Sequence, residues 1–131
     1  MIQGFLKDWL KERIPGIAWS QDYRTQSDDI ATVYSEGGFP QGRYEGQVRR
    51  PTYQVYISSS DWDKAMDVAY AVYNQLHNKT NFEAITENGS RFFVYLITAA
   101  SEPLRIGVEN NVMDYSVNFD VELKEIKEEA I

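Results

Sequence analysis

Met113-Asp114-Tyr115-Ser116-Val117-Asn118-Phe119-Asp120-Val121-Glu122-Leu123 alternates apolar and polar side chains without a break. An extended chain sorts such a pattern into one hydrophobic and one solvated face, whereas a helix would scatter it around the circumference. At about 3.3 Å per residue the stretch reaches roughly 36 Å, more than a strand of a small domain normally needs. Part of it is therefore expected to project, or to pair with another subunit. A half-buried strand requires strand neighbours, and the sequence upstream supplies them.

Asn88-Gly89 is a strong tight-turn signal between Phe82–Thr86 and Arg91–Ala100, which together read as a hairpin. Phe92 to Ile97 is apolar at nearly every position, as for a central strand covered by helices on one side and by loops or a neighbouring molecule on the other. Further upstream, Tyr53, Val55 and Ile57 alternate with Gln54, Tyr56 and Ser58, and Pro51 suits the first residue of that strand. Ile30 to Tyr34 is a short β-prone run after the turn residues Ser27-Asp28-Asp29. Ile17 to Gln26 fits no single pattern. Between Tyr34 and Pro51, Glu36 to Gly46 holds Gly37, Gly38, Pro40, Gly42 and Gly46 and reads as a mobile surface loop extending to about residue 50.

Two segments have helical spacing. Ile2, Phe5, Leu6, Trp9, Leu10 and Ile14 share one face, and Pro15-Gly16 ends that helix. Ser60 with Asp63 resembles a capping box, so a second helix should begin near Asp61 and stop near His77-Asn78. Its expected buried stripe is Trp62, Ala65, Met66, Ala69, Val72, Tyr73 and Leu76, with the two alanines allowing close approach to a sheet. The order is helix, one or two strands, helix, three strands, which defines an α+β domain over residues 1–131. Lys124 to Ile131 is a charged tail expected to fray.

Charge and composition exclude several chemistries. Twenty acidic against thirteen basic residues give a net charge of −7, which opposes tight binding to a phosphate backbone. The absence of cysteine removes disulfides, thiolate zinc sites and thiol nucleophiles. The single histidine, His77, falls at a helix end and reads as solvated. Asp61, Asp63 and Asp67 lack the glycine and terminal glutamate of a calcium loop and read as capping charges. Gly37-Gly38 has no following helix to form a phosphate cradle and reads as a conformational element. Arg43, Arg49 and Arg50 with Tyr44 and Tyr53 form one basic, aromatic patch; nucleic-acid contact is its sharp reading, and surface charge or intersubunit ion pairing is favoured over it. No catalytic residue, metal ligand or cofactor is assigned, and the chain is read as a non-enzyme. No apolar stretch approaches the roughly 20 residues of a membrane span, and the N-terminus lacks the pattern of a secretion signal, so cytoplasmic synthesis is expected. Nine tyrosines, three tryptophans and six phenylalanines suit either an aromatic core or an interface.

Several pieces in a fixed order resemble small bacteriophage minor capsid proteins related to tail terminators. They are the N-terminal amphipathic helix, Glu36-Gly37-Gly38-Phe39-Pro40, and Arg50-Pro51 leading into Tyr53-Gln54-Val55. They continue with the helix Asp61 to Leu76, then Pro103 to Gly107, then Tyr115-Ser116-Val117-Asn118-Phe119-Asp120-Val121. A turn glycine expected near Asn110-Asn111 is absent. The resemblance implies a mixed, mostly antiparallel sheet flanked by two helices, in the order α-β-β-α-β-β-β. It implies a structural protein of the virion, assembled in the host cytoplasm, that caps the tail tube and joins it to the head as an oligomeric ring, hexameric by resemblance. The implied partners are further copies of the chain, the tail tube protein and head connector proteins, with no specific nucleic acid and no membrane. The expected interaction surface comprises Glu36, Gly37, Gly38, Phe39, Pro40, Arg43, Arg49, Arg50, Asp114 and Asn118.

Competing readings are a head-completion or adaptor protein at the same junction, an unrelated small binding domain, and a hydrolase with dispersed carboxylates. The last requires a deep pocket holding carboxylates of raised pKa.

Overall fold

The computed structural model describes residues 1–39 and 48–127. Its elements are α1 (Gln3–Arg13), β1 (Ala18–Gln21), β2 (Ile30–Phe39), β3 (Arg50–Ser59), α2 (Trp62–Leu76), β4 (Thr80–Ile85), β5 (Arg91–Ala99), β6 (Leu104–Glu109) and β7 (Val112–Ile126). The strands make one sheet in the order β1-β2-β3-β7-β5-β4, with β6 beside β7. β1 and β2 run parallel and every other pair is antiparallel. The expected order α-β-β-α-β-β-β is present, and the short strands β1 and β6 add to it.

β7 is the spine of the sheet. One edge pairs with β3 from Met113 to Asp120, while the other is shared end to end by β6, against Val112–Ser116, and β5, against Phe119–Ile126. Its length is thus taken up along one edge by β6 and β5, so it lies beside other strands where the sequence reading expected part of it to project or to pair with another subunit. Lys124 and Ile126 pair with Phe93 and Arg91, so the start of the supposed frayed tail is ordered strand; residues 128–131 lie outside the described residues.

The alternation of β7 places Tyr115, Val117, Phe119, Val121 and Leu123 on one face, level with Tyr53, Val55 and Ile57 of β3 and with Val94 and Ile97 of β5. All of these are buried, and both helices cover this face. Burial of each such side chain contributes about 1.5–3 kcal/mol. α1 lays Ile2, Leu6, Leu10 and Ile14 into the core. It also touches both outermost strands: Trp19 of β1 donates its indole N–H to the Ile14 carbonyl at 3.1 Å, and Phe5 stacks on Phe82 of β4 at 6.0 Å. The sheet therefore curls until α1 lies between its two ends.

α2 begins one residue later than a Ser60 cap would place it. Asp61 is the cap, its carboxylate accepting the Lys64 N–H at 3.1 Å. The buried stripe is Ala65, Val68, Ala69, Val72 and Leu76. Trp62 and Met66, expected in it, are exposed, because the helix is rolled toward Val68. Lys64 reaches Asp29 at the start of β2 on one flank, at 2.7 Å. On the other flank the Trp62 indole N–H reaches the Asn111 carbonyl at 3.2 Å, in the β6–β7 turn. That turn has φ of 50° at Asn110 and 64° at Asn111, so two asparagines take the left-handed conformations for which a glycine was expected.

Candidate interaction surfaces

Three surfaces are distinct. The first is the far end of β2 and β3, called the arm below, which stays beside β7 through the pairing of Arg49 with Leu123. Past Ser35 and Tyr53 the register shifts, and Gly38 and Phe39 pair with Pro51 and Arg50. Glu36, Gly37, Gly38 and Phe39 are therefore strand rather than the mobile loop expected; Pro40 and Arg43 lie outside the described residues. The glycines make the shift possible, with φ of 84° at Gly37 and 117° at Gly38. A Cβ on Gly38 would stand 2.3 Å from the Arg50 carbonyl oxygen and 2.6 Å from Pro51 Cα, so no other residue fits there. Phe39 is 66% exposed on this arm.

The supposed basic, aromatic patch is dispersed. Tyr53 is a core residue whose hydroxyl accepts the Ile2 N–H at 3.1 Å. Arg49 exchanges backbone hydrogen bonds with Leu123, and the Arg50 guanidinium sits 3.6 Å from Glu122. Arg43 and Tyr44 are outside the described residues.

The second surface is the sheet face away from the helices, where small polar residues are woven together. Ser20 and Thr32 share a hydrogen bond of 2.8 Å. Arg24, from the β1–β2 connection, donates to Ser58 Oγ at 2.8 Å, and Ser58 donates to Asp114 at 2.7 Å. Gln54 and Asn118 both donate to Ser116 Oγ, at 2.8 and 3.1 Å. Burial, reinforced by Asp114, pushes the Tyr56 phenol up to about 12. Asp114 and Asn118 thus belong to this network, along the sheet from the arm.

The third surface escaped the sequence reading. β6 pairs with β7 on one side only, and the stretch between Arg105 and Gly107 is bulged. Leu104 points to the open face with Ser116, Val108 to the helix face with Met113, and Ile106 falls in the bulge. All three are exposed, Ile106 by 56%. Also exposed is the α2 flank of Trp62, Met66 and Tyr70, spaced four residues apart, with Trp62 tied to the β6–β7 turn. The signal was the alternation Leu104, Ile106, Val108, too short to stand out beside Gly107.

Chemistry is sparse by comparison. His77 is not simply solvated: its Nδ1 accepts the Ala99 N–H at 3.0 Å and its ring stacks on Tyr73 at 5.0 Å. Among the described residues no group of three or more His, Asp or Glu could hold a metal ion. The depression of about 400 Å³ between α1 and the β4–β5 turn is lined by Asp8 and Glu87 together with Phe5, Gln21 and Phe92. The depressed carboxyls, Asp28, Asp29 and Glu83, are held low by Ser60, Lys64 and Arg91 respectively, which is the reverse of a general acid. Among the described residues no helix is long and apolar enough to cross a membrane.

The domain is thus of the α+β class, with an exposed apolar strand edge and an open sheet face whose polar groups bond to one another. The chain belongs to the bacteriophage tail terminator protein family, whose model matches residues 21–125, from the end of β1 to the end of β7. It is a structural component of the phage tail and thereby of the virion. No curated protein matches the chain.

Proposed function

We propose that the protein closes the head-proximal end of the tail tube as a ring of identical copies, six by family resemblance, and offers the opposite side of that ring to the head connector. The observation that supports this reading is the uncovered apolar strand edge of β6 on a chain that also exposes Phe39 at the far end of β2. Two different surfaces that are each incomplete suit head-to-tail association, which closes into a ring when the rotation between copies permits. A net charge of −7 suits a channel through which DNA passes without being held. Assembly takes place in the host cytoplasm, on tubes that the ring stops from growing.

Electron microscopy of the purified protein mixed with tail tubes of the cognate phage tests this directly. Capped tubes of limited length are expected, with added density at one end. Bare tubes, with the protein bound instead to isolated connectors, would replace the terminator reading by the head-side adaptor.

A further inference from the structure

We infer that β6 is a self-pairing edge: away from the tail tube, the protein associates with a second copy of itself through an antiparallel, two-fold pairing of β6 with β6. Among the described residues β6 is bonded along β7 only, and its apolar side chains Leu104, Ile106 and Val108 are all exposed. The neighbouring stretch of the same edge is closed, since β4 covers β5 and the Ala99 N–H beyond it is taken by His77 Nδ1 at 3.0 Å. Asn110 and Asn111 make a two-residue turn with positive φ at both positions. Glu109 and Val112 are therefore the hydrogen-bonded pair that closes the hairpin, and Val108 beside them turns its N–H and C=O away from β7. An apolar edge of this kind is a template for a further strand.

The second copy is the occupant that β6 itself specifies. Leu104 and Glu109 stand opposite Ser116 and Val112 on the open face, Arg105 and Val108 stand opposite Tyr115 and Met113 on the helix face, and Ile106 and Gly107 make the bulge between them. That order is the same from either end. An antiparallel copy centred between Ile106 and Gly107 matches it face for face, with Leu104 opposite Glu109, Arg105 opposite Val108 and Ile106 opposite Gly107. A shift by one residue would set open-face positions against helix-face ones. Shape agrees: Ile106 is 56% exposed, and a Cβ on Gly107 would meet nothing within 4 Å, so each isoleucine has an unfilled position to cover in the other copy. Charge agrees as well. Each strand carries Arg105 and Glu109, and this register sets Arg105 next to the level of Glu109 of the second copy, while the two arginines, and the two Glu109 side chains, stay apart along the strands. Glu102 lies beyond Pro103, outside the strand, and Asp114 of β7 is bonded to Ser58. The pairing occupies β6 in both copies, so it ends at two. A strand of six residues makes a small contact, which suits a weak pair that parts when the edge is needed on the tube.

Sedimentation velocity of the full chain over a concentration series is expected to show monomers passing into dimers and no larger species. Ile106→Glu puts two carboxylates at the centre of the two-fold, and Val108→Pro removes the outward N–H. Each should raise the dimer dissociation constant by at least about tenfold while the circular dichroism of the parent is kept. Ile106 lies in the exposed bulge, so its variant decides the matter if the proline unfolds the hairpin. The absence of native cysteine allows cross-linking at one site. Ile106→Cys treated with a short bismaleimide should yield a covalent dimer, and Phe39→Cys, at the far end of β2, should not. Monomers at every concentration up to about 1 mM would overturn the inference, as would a dimer that survives Ile106→Glu or a closed species larger than two. A covalent dimer from Phe39→Cys without one from Ile106→Cys overturns it too. None of these outcomes bears on the capping of tubes, which microscopy tests independently.

Discussion

His77 Nδ1 accepts the backbone N–H of Ala99 at 3.0 Å, so a side chain completes the outer edge of β5 beyond the last residue of β4 pairing. The acceptor nitrogen carries no proton in this arrangement, and the ring is steadied by Tyr73. Replacing His77 by phenylalanine keeps the ring and removes the acceptor. A partly buried N–H is then left unpaired, and the expected loss is about 1–3 kcal/mol in chemical denaturation. A denaturation midpoint equal to that of the parent protein would show that water replaces the imidazole at no cost.

Gly38 and Gly37 both adopt positive φ, but only Gly38 is hemmed in by backbone. Gly38→Ala must push Arg50 and Pro51 away and break the arm's pairing. A loss on the order of 1–3 kcal/mol is expected, together with faster amide exchange at Phe39 and Arg50. Gly37→Ala meets no atom within 4 Å. It should cost only about 1–2 kcal/mol of left-handed strain and leave the pairing in place. Equal exchange rates in the two variants would refute the steric account of the arm.

How far the sequence could be read depended on how each element is buried. β7 was legible because one face meets the helices while the other does not, so Tyr115 to Leu123 alternate cleanly. β6 was not, because it is exposed on both sides and interrupted at Gly107, leaving no contrast for a pattern to record. The arm's glycines were visible, yet composition does not distinguish a loop from a bulged strand; the pairing of Gly38 with Pro51 does. Trp62 and Met66 were misplaced because an apolar residue on a helix flank looks the same in sequence whether the core or another molecule covers it. Asp114 and Asn118 were singled out, but their partners Ser58 and Gln54, reached through Ser116 in the second case, are remote in sequence and set by strand register.

In acid, the fastening of the β1–β2 connection to α2 should fail first. The Lys64 ammonium, followed by the Ser59 hydroxyl, holds the Asp29 carboxyl below its ordinary range, and Ser60 does the same for Asp28. A folded-state pKa below the unfolded one gives stability that is fully present above about pH 4 and is lost as pH falls through the folded value. Asp29→Asn should therefore flatten the dependence of the unfolding midpoint on pH below about 4, with little added change at neutral pH beyond the loss of its ion pair. An unaltered acid slope in that variant would assign the acid sensitivity to other carboxylates.

At the alkaline end the relevant group is Tyr53, which ties the start of α1 to the middle of the sheet through the Ile2 N–H. Burial raises its phenol from 10.0 to about 12, because the phenolate would have to form inside the core. The sign is opposite in direction to that of Asp29. The unfolded chain loses this proton first, so the contribution is complete below about pH 10 and drains away as pH rises toward the folded value. Tyr53→Phe removes that titration but also leaves the buried Ile2 N–H without its acceptor, at an expected cost of about 1–3 kcal/mol at neutral pH. The two effects separate in a pH series: the variant should be less stable than the parent at pH 7 and should lose less of its remaining stability between pH 10 and about 12. Parallel curves across that window would mean that the Tyr53 hydroxyl is not the group that titrates, and would shift the alkaline dependence to Tyr56, whose phenol is raised to about 12 on the open face.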